Sequence, residues 1–388
     1  MDIRFLTGAD KEAQEKLYSL SYIYPYFPQE TPMGPDVTLD GTLGAFENGE
    51  LAATVITHDF TCNFNGLRVK MGGVGGVACR PESKCKGYAR VLLEKSLTAM
   101  YENGFVFSSL YPFSHEFYRN FGYEFAFSRR RCFITRETLA DFRVKGSFVA
   151  MNDENEHYAR EVYDKFSASL DYSLVRGDKL WGNFKPKKYS PMDYCYLYFS
   201  ESGEPEGYII AQNVQKDGNT FSVKDFAYLT PCALRSILGF IGSFNNHNNV
   251  VFDESGRMDM LMLLDEPYNV KLEAAKSGML RVVNVMKALS LLKAPCFDGS
   301  VVIGTLDEQI PENSGSYEIT AEKGKLTVKI CEKAAEITFT MPALAAAFSG
   351  LSDFDTLVMS SSGITGDTGN PMLRALFPDR VTYLNDHF

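Results

Sequence analysis

The chain has 388 residues, 45% of them hydrophobic and 23% charged, a composition of folded globular domains rather than disordered, collagen-like or coiled-coil chains. At about 100–200 residues per domain, this length corresponds to two to four domains. Thirty-nine Lys and Arg against 49 Asp and Glu leave a net charge of −10, which argues against nucleic acid or an anionic membrane as main partner and is compatible with a cationic substrate.

No apolar run approaches the roughly 18 residues of a membrane span. Met1-Asp2-Ile3-Arg4-Phe5 lacks the basic-then-apolar order of a secretory signal. The eight cysteines are scattered without a CxxC pair, and with five histidines they form no ligand-spaced cluster. The expectation is a cytoplasmic chain with reduced cysteines, no metal, no membrane insertion and no nucleic-acid partner.

Residues 3–6 read as a short strand, followed by a helix from Asp10 with Ala13, Leu17 and Leu20 at helical spacing. A loop dense in breakers covers 27–35. Asn48-Gly49 and Asn65-Gly66 predict tight turns, joining strands 42–46 and 51–56, then 59–64 and 67–71. The apolar strand 74–79 enters a polar loop and a helix over 89–101; a buried strand at 105–111 and a helix through 116–120 follow.

From about Phe142 the pattern restarts. A helix over 156–170 and a loop around 181–191 precede strands 194–199, 207–214 and 222–228, then a helix over 231–244. This order repeats the first segment, but no glycine-rich loop precedes its helix, so the second copy reads as degenerate. From Gly278 the character changes to α+β, with a helix over 282–292, strands 299–306, 315–321, 326–330 and 335–340, helices 342–348 and 372–377, and an extended end at 381–384. The predicted domains are 1–142, 143–277 and 278–388.

Chemistry concentrates in Val77-Ala78-Cys79-Arg80-Pro81-Glu82-Ser83-Lys84-Cys85-Lys86-Gly87-Tyr88-Ala89. An apolar strand passes through a short basic loop into an apolar helix. Successive N–H groups from Lys84 to Tyr88 at a helix N-terminus suit a pyrophosphate, although an ordinary basic turn has the same composition. Neither a Walker loop nor a GxGxxG is present. After the next buried strand comes Phe117-Tyr118-Arg119-Asn120-Phe121-Gly122-Tyr123. Aromatics at helical spacing are usually core, and Phe117, Phe121 and Tyr123 read that way.

These two stretches resemble the acetyl-CoA signature, V-x-V-x-P-x-x-[RQ]-x-x-G-x-[GA], and the F-Y-x-x-x-G-[FY] motif of the GCN5-related N-acetyltransferases (GNAT). Lys84 replaces the usual Arg or Gln, and Cys79 the second Val. The resemblance implies an acetyl-CoA site in which Val77, Ala78 and Cys79 hold pantetheine. Lys84, Cys85, Lys86, Gly87, Tyr88 and Ala89 would cradle the pyrophosphate, and Tyr118 would act as general acid. The whole chain resembles the Eis (enhanced intracellular survival) branch, with two tandem GNAT-like domains, the second degenerate, before a sterol-carrier-protein-2-like domain. Gly278-Met279-Leu280-Arg281-Val282-Val283 looks like the opening of that last domain and Ser362-Gly363-Ile364-Thr365-Gly366-Asp367 like its late loop.

The implied fold class is α/β and α+β, and the implied activity is acetyl transfer to amines, including those of aminoglycosides, in hexamers. The family's general base is the C-terminal carboxylate, here that of Phe388. A primary amine near pKa about 10 is protonated at neutral pH and needs a proton acceptor before it attacks. Asp386 is expected to add negative charge near a cationic substrate, with a solvated surface carboxylate as the alternative. The rival function is lipid or small-molecule binding, with 344–348 and Leu351 lining a carrier-like pocket beside a vestigial enzyme. His115, three residues before Tyr118, is a candidate base, with a loop histidine hydrogen-bonded near the surface as the commoner reading; Cys79 and Cys85 have no His/Cys/Asn constellation and Ser108-Ser109 no nucleophile elbow, and Arg129-Arg130-Arg131 reads as a solvated or interface face.

Overall fold

A computed structural model describes residues 1–22, 41–186, 189, 194–214, 219–275 and 277–388. The breaker-rich loop expected at 27–35, and much of the end of the one expected at 181–191, lie outside the described residues. Two compact units form, one from residues 1–126, 278–380 and 388, the other from 127–277 and 381–387.

The first stretch contains β1 (Asp2–Phe5), α1 (Lys11–Ser21), β2 (Thr42–Glu47), β3 (Glu50–Phe64), β4 (Leu67–Cys79), α2 (Tyr88–Glu102), β5 (Phe107–Leu110), α3 (His115–Arg119) and β6 (Glu124–Phe125). Next come β7 (Arg130–Thr135), α4 (Arg136–Ala140), β8 (Ser147–Ala150), α5 (Glu156–Ser167), α6 (Asp178–Gly182), β9 (Tyr194–Phe199), β10 (Pro205–Val214), β11 (Thr220–Tyr228) and α7 (Pro231–Gly242). They are followed by β12 (Asn249–Asp253), α8 (Met260–Leu263), β13 (Val270–Ala274), β14 (Met279–Val282), α9 (Val285–Ser290), β15 (Gly299–Leu306), β16 (Gly315–Glu322) and β17 (Lys325–Cys331). The chain closes with β18 (Ile337–Thr340), α10 (Met341–Ser349), α11 (Phe354–Ser360), β19 (Ile364–Gly366) and α12 (Pro371–Leu376).

In the first unit the strand order is β1-β2-β3-β4-β5-β14-β6. Both predicted Asn-Gly turns form, with positive φ at Asn48, Gly49, Asn65 and Gly66, the conformation whose twist matches flanking strands. Helix α2 lays Leu92, Leu93, Leu97 and Met100 against Leu43, Ala53, Val55 and Leu110. The carrier-like segment belongs to the same unit, with sheet order β17-β16-β15-β18-β19. There Leu344, Ala345 and Phe348 are fully buried, and the Phe348 ring packs on Phe64, Phe107 and Phe377 at centroid distances of 6.1, 5.8 and 5.6 Å. Of the residues expected to line a carrier pocket, Leu344, Ala345 and Phe348 are thus spent on core, while Ala346 and Leu351 are half-buried.

In the second unit the order is β13-β7-β12-β11-β10-β9-β8. The two GNAT-like sheets exchange strands: β7, from the chain following the first module, pairs with β12 and β13, while β14, following the second module, pairs with β5 and β6. Two expectations change accordingly. Residues 127–142 supply β7 and α4 to the second unit instead of closing the first. The helix expected over 282–292 shortens to α9, because Met279–Val282 is a strand; its Met279, Leu280 and Val282 are buried at 0% exposure, and a short apolar run carries no periodicity to separate strand from helix. Trp181, expected in a loop, lies in α6. No helix among the described residues is long and apolar enough to cross a membrane.

Candidate active site

Strands β4 and β5 run parallel only from Met71/Phe107 to Val74/Leu110. There β5 ends, whereas β4 continues to Cys79, leaving Val77, Ala78 and Cys79 on an edge without a β5 neighbour. A bulge in the β3–β4 register between Thr54 and Ile56 bends the strand where Gly76 takes φ +55, and a Cβ there would stand 2.3 Å from the Tyr18 hydroxyl. The Tyr22 hydroxyl donates to the Val77 carbonyl at 3.0 Å, and Ser21 Oγ donates to that of Cys79 at 3.4 Å. Burial pushes the Cys79 thiol pKa up, which suits a packing residue rather than a nucleophile.

Beyond β4, Arg80 pairs with Glu50 at 2.5 Å and Glu82 at 3.4 Å, and Lys86 with Glu47 at 3.0 Å. The Lys86 ammonium and the Tyr88 hydroxyl together hold the Glu47 carboxyl below its usual range. Lys84 is exposed and has no acidic partner among the described residues. Cys85 (φ 63) and Gly87 (φ 83) are both left-handed. Gly87 is the N-cap of α2 and has no side chain to close it; a Cβ there would meet nothing within 4 Å. Since Val91 makes the first helical bond, to the Gly87 carbonyl, the N–H groups of Tyr88, Ala89 and Arg90 have no helical acceptor. An uncapped, 15-residue helix therefore presents its positive end to open space beside a splayed strand pair.

Ser114 caps α3 by accepting from the Phe117 N–H at 3.2 Å, and Gly122 ends the turn at φ +78, where a Cβ would strike Arg281 Nη1 at 2.3 Å. That guanidinium is itself fixed to both Asp307 oxygens at 2.8 Å. Tyr123 anchors the motif through its hydroxyl, 2.7 Å from Ser108 Oγ. These contacts seat Tyr118, 2% exposed, against the rings of Phe113, Phe117 and Tyr123. Burial raises its phenol pKa, so the hydroxyl stays a hydrogen-bond donor but is a weaker acid than a free phenol.

Phe388 returns to this unit. Its ring packs on Phe60, Tyr111 and His58 at 4.9, 5.7 and 6.0 Å. The glycine-rich run in β4 explains how. A Cβ on Gly73 would stand 2.9 Å from the Phe388 ring; one on Gly75 would stand 3.2 and 3.3 Å from the Phe388 carbonyl carbon and oxygen, and 3.6 Å from His58 Nε2. Gly72, on the opposite face, instead leaves room for Met100. Two glycines two residues apart on one strand face form the hollow in which the end of this sequence lies, beside an imidazole.

Residues 2–126 match the model of the acetyltransferase (GNAT) domain, and residues 173–282 match a second acetyltransferase (GNAT) domain model. The chain belongs to the GNAT acetyltransferases. Residues 285–385 match the sterol carrier protein domain. This acyltransferase has an Eis-like three-part architecture: it superposes on Eis1 from Mycobacterium abscessus with a TM-score of 0.80 at 20% identity, covering 100% of both chains. A GCN5-related N-acetyltransferase from Anabaena variabilis gives 0.86 at 20% identity, also covering 100% of both. A probable N-acyltransferase from Enterococcus faecalis gives 0.88 at 23%, covering 100% of this chain and 99% of that one. A comparison with curated proteins finds no match.

In this GNAT chain one predicted site residue lies elsewhere than expected. Asp386 is 0% exposed, in the second unit, with its carboxylate accepting from Arg176 Nε at 2.8 Å. It anchors the tail instead of facing a substrate, which sequence could not tell because Arg176 lies 210 residues away. Tyr88 turns its ring inward and offers the loop only its N–H. The run Arg129-Arg130-Arg131 pairs with Asp253, Glu254 and Asp259, so it is no open cationic face. His58, Phe60 and Tyr111 escaped sequence reading. Counting back from the Asn65-Gly66 turn places His58 opposite Gly73, which is the signal that would have found the hollow.

Proposed function

We propose that the chain is an acetyl-CoA-dependent N-acetyltransferase acting on primary amines of a bulky cationic small molecule, such as an aminoglycoside or another polyamine. The observation that carries this reading is the uncapped α2 N-terminus with left-handed Cys85 and Gly87, immediately after the point where β4 leaves β5. Its three acceptor-free N–H groups and the open space at Gly87 fit a pyrophosphate, and Lys84 adds a cation. Val77, Ala78 and Cys79 would pair with the pantetheine arm, and Lys84 to Ala89 would hold the diphosphate.

Acetyl-CoA supplies the acetyl group as a thioester. Tyr118, a protonated phenol at neutral pH, donates to the departing thiolate, which at a free pKa near about 8.5 needs only partial neutralisation. The carboxylate in which the sequence ends at Phe388 accepts the ammonium proton directly or through a water, with the His58 imidazole beside it as a second polar group. The net charge of −10 favours approach of a cation. The three-domain division, a cytoplasmic location and a homo-hexamer complete the proposal; light scattering of the purified chain tests the last.

The carrier reading gains no support, since Leu344 and Phe348 are packed in core. The deciding experiment mixes the chain with acetyl-CoA and a panel of aminoglycosides and linear polyamines and follows free thiol. Thiol release dependent on the amine is expected; none from any amine, with no thermal shift from acetyl-CoA, refutes the enzyme reading.

A further inference from the structure

His58 and Phe60 lie opposite Gly73 and Met71 in the β3–β4 register, so they share a sheet face with Gly73 and Gly75. The two glycines bare that face of β4, and the Phe60 and Phe388 rings take the room over Gly73. Over Gly75 two polar groups converge. The point where its Cβ would stand lies 3.6 Å from His58 Nε2 and 3.2 and 3.3 Å from the Phe388 carbonyl carbon and oxygen. A small group resting against the bare Cα of Gly75 therefore meets both. The imidazole plane is fixed by rings: it stacks on Phe60 at 5.4 Å and 18°, and meets Phe388 at 6.0 Å and 73°. Tyr118 belongs instead to the cluster under α2, with Val74 and Leu110. The proton donor and this polar pair thus lie on opposite faces of the sheet, beside the point where β4 leaves β5.

Basicity separates the two polar groups. Moving a proton from a primary ammonium near about 10 to a free α-carboxylate near about 3.5 is uphill by a factor on the order of 10⁶, and to a free imidazole near about 6.5 by one on the order of 10³. A carboxylate beside an imidazole orients the ring and stabilises the imidazolium without taking the proton itself. Among the described residues, the titratable groups around His58 are the Phe388 carboxylate, the Tyr111 phenol that packs on Phe388, the Tyr18 and Tyr22 phenols of α1 at Gly76 and Val77 and the buried Cys62 thiol. Farther along the same face of β3, the Arg380 guanidinium lies over the Phe64 ring at 4.7 Å. The Asp59–Lys70 pair is on the opposite face.

We propose that His58 is a catalytic residue of the transfer, its Nε2 taking the ammonium proton of the acceptor while the Phe388 carboxylate orients the ring and stabilises its charge. This rests on the proposed function and hands the proton to the imidazole beside the carboxylate. The ammonium gives one proton to Nε2, and the freed lone pair forms the C–N bond to the acetyl carbon. As the C–S bond breaks, its electron pair leaves on sulfur, which takes the Tyr118 proton. Nitrogen loses its second proton to water, the imidazolium returns its own to solvent and the phenolate regains one, so each transfer releases one proton.

Thiol release by the full chain at pH 7 with two primary amines tests this, one protonated at that pH and one so weakly basic that it is already neutral. His58→Gln should lower kcat for the protonated amine by about 10²-fold or more and for the neutral amine by no more than about threefold, with the dissociation constant of acetyl-CoA unchanged. His58→Asn gives a second reading should the Gln variant not fold. In the wild type, kcat for the protonated amine should fall as pH drops below about 6.5; in the variants that limb should give way to a rise of about tenfold per pH unit. Equal slowing of both amines marks a structural role and overturns the proposal, as do unchanged rates in the variants or a wild-type profile without that limb. Wild-type protein that releases thiol with neither amine refutes the proposed function, and the role of His58 falls with it.

Discussion

A methyl group added at Gly75 tests the seat of Phe388. The new Cβ would lie 3.2 Å from the Phe388 carbonyl carbon and 3.3 Å from its oxygen, a few tenths of an ångström inside ordinary contact, so the terminal group must shift by about that much. A displacement of about 1 Å at a reacting group costs on the order of a hundredfold in rate. Gly75→Ala should therefore lower kcat about tenfold, or about 1.4 kcal/mol of barrier, and Gly75→Val, which brings two further carbons, about a hundredfold. The dissociation constant for acetyl-CoA should stay near wild type, because the loop proposed to bind the diphosphate is untouched. Gly72→Ala is the control on the opposite face: its Cβ would stand 2.1 Å from Met100 Sδ, so overpacking should cost about 1–3 kcal/mol of stability and leave kcat alone. The assay is thiol release at saturating acetyl-CoA and amine, beside thermal unfolding. Wild-type kcat in both Gly75 variants would remove the Phe388 carboxylate from the mechanism.

Tyr118→Phe keeps the buried ring and removes the hydroxyl; kcat should fall by about 10²–10⁴-fold with the melting temperature nearly unchanged, and an unchanged kcat would show that another group protonates the thiolate. Gly87→Val forces a β-branched residue into φ +83 at the α2 N-cap; titration should show acetyl-CoA binding weakened at least tenfold, and unaltered affinity would contradict the helix N-terminus as the diphosphate site. His247, buried and stacked on Phe221 at 4.6 Å, has its pKa lowered first by desolvation and then by Arg136. Its native state favours the neutral ring, so the stability it contributes is complete above the unfolded value of about 6.5 and is lost as pH falls below that value through the lower folded one. Thermal melts from pH 7 to 5 should decline less steeply in His247→Phe than in wild type, and parallel slopes would contradict that origin.

Features encoded within about 20 consecutive residues were readable in the sequence. The Asn-Gly turns require left-handed backbone, and the loop from Cys79 to Ala89 and the turn at Gly122 place their chemistry by local geometry. Features made by distant pairing were not. The exchange of β7 and β14 between sheets depends on partners more than a hundred residues apart in places, such as Arg131 with Asp253, and buried strands carry no alternation to announce it. Asp386 looked like an exposed charge near the chain end because its guanidinium partner is remote. The glycines Gly72, Gly73, Gly75 and Gly76 looked like a weak strand; each is instead a place where another group needs the room of a missing side chain.

The central claim is that the first domain transfers an acetyl group from acetyl-CoA to an amine. The most direct measurement combines thiol release with mass analysis of the amine, for wild type and Tyr118→Phe. The account predicts one free thiol per acetylated amine in the wild type, no thiol without amine, and a much slower reaction in the variant with acetyl-CoA binding intact. Acetyl-CoA that binds but yields neither thiol nor acetylated product with any amine of the panel, or equal rates in the two proteins, would contradict it.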